Sequence, residues 1–188
     1  MSEPPLPRSV RLHMKSLHLS FAKYLVTAII ALGVLGGAAH AKDIDVPKRL
    51  GSVTDLAHLL KPKERAAIEA ILAAFEKETS HQIAVLTVPT LGSERIETLS
   101  LRTARNWQIG KPTFNNGILV TVARKEGFVR IELGRGFEKY ISNTDAKSIV
   151  DDNMLPSMRD RNYFAALHRG LDRLMEVARR YVVPIEAP

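Results

Sequence analysis

Residues 115–138 read Asn115-Asn116-Gly117-Ile118-Leu119-Val120-Thr121-Val122-Ala123, then Arg124-Lys125-Glu126-Gly127, then Phe128-Val129-Arg130-Ile131-Glu132-Leu133-Gly134-Arg135-Gly136-Phe137-Glu138. Residues 118–123 form a nearly unbroken apolar run of strand length, rich in β-branched side chains, as expected of a central strand buried on both faces. The next four residues are polar and end in glycine, which suits a hairpin loop. Residues 128–133 alternate, with Val129, Ile131 and Leu133 on one face and Phe128, Arg130 and Glu132 on the other, so the returning strand has one buried and one wetter side. Gly134-Arg135-Gly136 is read as a turn that needs positive φ. It is not a dinucleotide fingerprint, because no third glycine follows at the required spacing and no helix opens there.

Working outward, Gln82 to Val88 is a second apolar strand, stopped by Pro89. Before it, Lys61-Pro62-Lys63-Glu64 starts a helix, with proline suited to the first helical position and Glu64 to the positive helix end. Ile68, Ile71, Leu72 and Phe75 make its apolar stripe, and it should end near Thr79-Ser80. Residues 51–56 are read as a turn carrying Asp55 toward the body of the fold. Ser93 is positioned to cap a helix with the stripe Ile96, Leu99, Thr103 and Trp107, where Trp107 is expected in the core. Beyond the hairpin, Ser142 or Thr144 opens a helix interrupted at Pro156. Tyr163, Leu167, Leu171, Leu174, Met175 and Ala178 stripe a last helix, bounded by Pro184. Helices on both faces of a small mixed sheet give an α/β fold, a three-layer α/β/α sandwich of Rossmann-like type.

Composition sets the bounds. The chain has 188 residues, 45% hydrophobic and 25% charged, with no cysteine, so disulfides and thiolate chemistry are excluded. Residues 1–41 differ from the rest: Arg8, Arg11, Lys15 and Lys23 stand against Glu3 alone, an uncharged apolar core follows Tyr24, and Ala39-His40-Ala41 offers small residues to a signal peptidase. This is the pattern of a secretory signal peptide, with an apolar core short of the roughly 20 residues a spanning helix requires. The expected organisation is a signal peptide over 1–41, an extended lead-in over 42–50 and one domain over 51–183, periplasmic or secreted after cleavage near Ala41. The alternative is a protein anchored by residues 25–41. Removing the leader leaves 23 Lys+Arg against 19 Asp+Glu, so the net charge falls from +7 to +4. With no basic block and no interleaved exposed aromatics, nucleic acid is not an expected partner.

Six segments resemble the TPM domain family. They are Val53-Thr54-Asp55-x-Ala57-x-Leu59-Leu60, Phe75-Glu76-x-x-Thr79-x-x-Gln82-Ile83-x-Val85, and Trp107-x-Ile109-Gly110-Lys111, followed by Asn116-Gly117-Ile118-Leu119-Val120, Arg130-Ile131-Glu132-x-Gly134-x-Gly136-x-Glu138, and Thr144-Asp145-Ala146. The resemblance implies an α/β/α sandwich outside the cytoplasm, divalent-cation binding in some members and phosphatase activity claimed for others. This chain departs from the family pattern at Asn115, where many relatives carry Asp, and at Lys61, where many carry a capping Ser.

An antiparallel hairpin returns Glu138 to the level of Asn116, and the resemblance adds Asp55. Asp55, Asn116 and Glu138, with Asn115 and Asp145 as further oxygen donors, are expected to line one polar pocket able to take Ca²⁺ or another hard divalent cation. Glu132 shares a face with Arg130 and is the weakest donor. Arg135 is a candidate ligand or partner contact, with a solvated surface arginine as the alternative. His58, His81 and His168 lack zinc-site spacing, and no serine has a nucleophile-elbow setting, so no catalytic set is nominated. The expected function is an exported binding or accessory module for assembly, repair or regulation of a membrane-protein complex or another envelope protein. The alternative is a metal-assisted phosphatase of the cell envelope.

Overall fold

The computed structural model describes residues 44–182. The leader, its cleavage position and Pro184 therefore lie outside the described residues. Four strands form one sheet in the order β1 (Val53–Asp55), β2 (Gln82–Val88), β3 (Gly117–Ala123), β4 (Phe128–Leu133). The first three are parallel, and β4 returns antiparallel to β3. All seven residues of β3 are buried, as its continuous apolar run requires. Ala123 pairs with Phe128 across the Arg124–Gly127 loop, and Gly127 takes φ 68° there.

The segment expected as a turn before the first helix is instead β1, with Val53 level with Val85 and Asp55 level with Thr87. Three residues are too few to show a period, so the pairing along β2 defines this strand.

Helix α1 (Pro62–Thr79) begins with proline at its first position, and the Glu64 carboxylate accepts the Lys61 N–H at 2.8 Å. It stops at Ser80, which turns left-handed at φ 62°. Helix α2 (Ile96–Asn106) opens after Arg95, so Ser93 lies just outside it and does not cap it. Ser142 caps α3 (Asn143–Ser148), where its Oγ accepts from Asp145 N and the Asp145 carboxylate accepts from Ser142 N. The chain then widens into a π-helical turn over Ile149–Met154, in which Leu155 N–H reaches back to Val150 O. Helix α4 (Leu155–Arg159) follows with Pro156 in its first turn, a position that needs no N–H. The irregularity expected at Pro156 thus precedes it. Asn162 caps α5 (Tyr163–Ala178).

The helices divide between the two faces of the sheet. On one, Ile68, Leu72 and Phe75 of α1 and Leu167, Leu171 and Leu174 of α5 meet Ile83, Val85, Ile118 and Val120. On the other, Ile96 and Leu99 of α2 and Trp107 meet Ala84, Leu86, Val88 and Leu119. Each large side chain buried this way contributes about 1.5–3 kcal/mol. The lead-in is tied to the second face: Trp107 Nε1 donates to Pro47 O at 2.7 Å, and Glu94 accepts from both Ile44 N and Arg102.

Candidate functional site

The sheet direction separates the nominated residues. Asp55 ends β1 level with Thr87, whereas Gly117, next to Asn116, is level with Gln82. Those levels are five residue steps apart along β2, about 16 Å at the usual strand rise. Asp55, Asn116 and Glu138 therefore do not share a pocket. Parallel strands place like ends together, and Asp55 sits at a carboxyl end while Asn116 sits at an amino end.

Asp55 and Asn116 are each already engaged by structural partners. Asp55 Oδ1 accepts from Leu59 N at 3.0 Å and from Thr87 Oγ1, and its Oδ2 accepts from Leu60 N at 3.0 Å. The carboxylate thus staples the loop leaving β1 to the end of β2. Asn116 is fully buried, with Oδ1 accepting from Lys111 N and Nδ2 donating to Ser80 O. Asn115 is exposed and left-handed at φ 49°, a conformation asparagine tolerates. Asp145 is exposed and occupied in the α3 cap, and Glu132 pairs with Arg130 on the same strand face. Arg135 and Glu138 are both exposed, in and just after the 3-10 turn Arg135–Phe137. Among the described residues no group of three or more His, Asp or Glu side chains is placed to hold a metal ion. The donor set does not fit a divalent cation.

The hairpin does return its end to the start of β3, since Gly134 N donates to Gly117 O and Gly136 N to Asn115 O. The two glycines serve this crossing by close approach and not by positive φ. Gly134 has φ −65°, but a Cβ on it would lie 2.1 Å from Asn115 O, and one on Gly136 would lie 2.2 Å from Phe114 O. Under this crossing, His81 is fully buried among Phe137, Tyr181 and Phe75.

The opposite sheet end is built differently. At the carboxyl ends of the parallel strands, a cleft of about 550 Å³ is lined by His58, Leu59, Pro89, Arg124, Lys125, Arg161 and Tyr163. Open α/β sheets commonly bind ligands at such ends, where separate loops converge. His58 comes from the loop after β1, Arg124 and Lys125 from the hairpin loop, and Arg161 from the turn between α4 and α5. Among the described residues no carboxylate lines the cleft. Arg124 donates to Ala57 O at 3.3 Å, while the adjacent Glu126 turns away to Thr90 Oγ1 and Leu91 N. Those hydrogen bonds, together with Lys125, hold the Glu126 carboxyl below its usual pKa against the opposing effect of desolvation. Arg161, at φ 55°, closes α4: its N–H reaches Met158 O while Asn162 N–H reaches Ser157 O, the two bonds of a Schellman motif whose left-handed position normally holds glycine. Sequence reasoning missed this cluster because its members come from three loops and share no linear motif. The only local signal was the Arg124-Lys125 pair in the hairpin turn.

A second cavity, about 800 Å³, runs beside the outer edge of β4 between the start of α2 and the α3–π segment. Its floor includes Phe128 and Ile131.

The sequence profile of the TPM domain matches residues 53–177. The chain belongs to the TPM domain family. No curated protein matches it. Among solved structures, this TPM domain is similar to the N-terminal domain of a P. gingivalis protein, with 29% identity, 72% of this chain and 88% of that one covered, and a TM-score of 0.66. The BA42 protein of the psychrophilic bacterium Bizionia argentinensis shares the fold at 19% identity, covering 65% and 83% of the two chains with a TM-score of 0.58. So does the N-terminal domain of a Corynebacterium glutamicum protein, at 11% identity, 80% and 93% coverage and a TM-score of 0.54. Among the described residues no helix is long and apolar enough to cross a membrane.

Proposed function

We propose that this TPM domain is an exported accessory module that binds a protein of the cell envelope and acts without turnover of its own. One observation carries the reading: the carboxylate most suited to metal chemistry, Asp55, is engaged by three donors of its own loop and neighbouring strand, while the convergent cleft at that sheet end is lined by cations. A metal-assisted phosphatase needs open carboxylates around an ion to generate its hydroxide. A binding module needs accessible surface, which the carboxyl-end cleft and the β4 groove offer. The signal-like leader supports a place outside the cytoplasm.

Affinity capture of the exported protein from its own envelope fraction tests this. One reproducible protein partner at stoichiometric yield is the expected result. Hydrolysis of phosphate esters that tracks protein dose and is lost in Asp55→Ala would overturn the reading in favour of the phosphatase.

A further inference from the structure

We infer that the cleft of His58, Arg124, Lys125 and Arg161 is a docking site for an acidic peptide segment of the partner protein. This rests on the accessory-module reading and names the chemistry of its contact. Several basic side chains elsewhere in the domain pair with acids: Lys61 with Glu64, Arg102 with Glu94, Arg173 with Glu176, Arg179 with Glu78. In the cleft three formal positive charges and a histidine face one space with no acid among its lining residues. The nearest acids in sequence are Asp55, stapled to its own loop, Glu126, bound to Thr90 and Leu91, and Asp160 beside Arg161. Like charges gathered from three loops repel one another, and a row of carboxylates entering the cleft relieves that repulsion.

Two further features favour a peptide over a small anion. His58, Arg124, Lys125 and Arg161 are all exposed and spread around about 550 Å³, whereas a small ion is held by converging, largely buried donors. Leu59, Pro89 and Tyr163 add apolar surface between the charges, matching side chains between the acids of an extended segment. Arg161 also stands at a left-handed helix stop where glycine is the residue of lowest strain. A cation kept there against backbone preference fits a binding role.

The test is fluorescence anisotropy of a labelled Asp-Glu-Asp-Glu-Asp-Glu peptide with the full exported protein, against an Asn-Gln peptide of equal length. The triple variant Arg124→Glu/Lys125→Glu/Arg161→Glu is expected to weaken acidic-peptide binding at least tenfold. A control of equal net charge, Lys63→Glu/Arg105→Glu/Lys139→Glu, should change it less than threefold. Equal loss in both variants, no preference over the Asn-Gln peptide, or pyrophosphate binding the cleft when the peptide does not would each overturn the proposal. Thermal melts confirm that the variants fold, since every substituted residue is exposed. Envelope capture separates the two readings. A partner retained by the cleft variant sinks this site and leaves the accessory role standing. A wild-type protein that captures nothing sinks that role, while the peptide titration still decides the cleft.

Discussion

The Nε2 atom of His81 lies 2.7 Å from the carbonyl oxygen of Tyr181, joining the start of β2 to the chain just beyond α5. The carbonyl can only accept, so Nε2 carries the proton, and Nδ1 is buried with no partner among the described residues. Burial pushes the imidazole pKa below its ordinary 6.5, partly offset by the backbone carbonyls of Tyr181 and Ala178. The folded protein therefore takes up this proton less readily than the unfolded chain. The stability linked to His81 is fully present above the unfolded value and is lost as pH falls from about 6.5 through the lowered folded value. Urea midpoints measured across that window should decline for the wild type and stay flatter for His81→Phe. Glu78 and Glu176, whose pKa values are lowered chiefly by hydrogen bonds from Arg179 and Arg173, act only at more acid pH, so the two effects are separable. Parallel profiles for wild type and variant would refute the assignment.

Gly134→Ala is expected to destabilise the domain by about 3 kcal/mol or more, because the new methyl would overlap Asn115 O and Gly117 O, both fixed backbone atoms. Gly127→Ala also strains a left-handed residue, but it meets no neighbour, so its cost should be only about 1 kcal/mol. Chemical denaturation of both variants checks the order. A smaller loss for Gly134→Ala would mean that the crossing relaxes.

Asp55→Ala leaves the Leu59 and Leu60 N–H groups and the Thr87 hydroxyl without their acceptor, at a cost of about 2–3 kcal/mol. The loss should be the same in chelator and in millimolar Ca²⁺, since these partners are all protein groups. Destabilisation that requires Ca²⁺ would restore a cation to this residue.

The hairpin was readable because residues 118–123 are apolar throughout and residues 128–133 alternate, and both patterns follow directly from burial. The Asp55–Asn116–Glu138 pocket was misread because one strand went unseen. Val53–Asp55 is too short to carry a period, so its direction, parallel to β2, was invisible, and with it the fact that Asp55 lies at the opposite end of the parallel strands from Asn116. Asp55 was expected as a cation ligand, and in the fold its carboxylate serves as a loop staple. The glycines flanking Arg135 were likewise read as important for the wrong physical reason, positive φ in place of backbone contact.

Arg161 supplies the test that separates stability from binding. It occupies the left-handed stop of α4, with φ 55° and both Schellman hydrogen bonds in place. A non-glycine residue there bears about 1–2 kcal/mol of steric cost, of which glycine's greater unfolded freedom takes back roughly half. Arg161→Gly should therefore raise stability by about 0.5–1 kcal/mol, read as a higher urea midpoint at unchanged slope. Arg161→Ala removes the same charge without relieving the backbone and should leave stability nearly unchanged. Both variants should weaken binding of the acidic peptide to a similar extent, because both delete one of three cations from the cleft. A residue kept only for structure would show the reverse, with glycine harmless to binding. Undiminished peptide affinity in Arg161→Gly, alongside a raised midpoint, would remove Arg161 from the docking site and leave it as a strained helix stop.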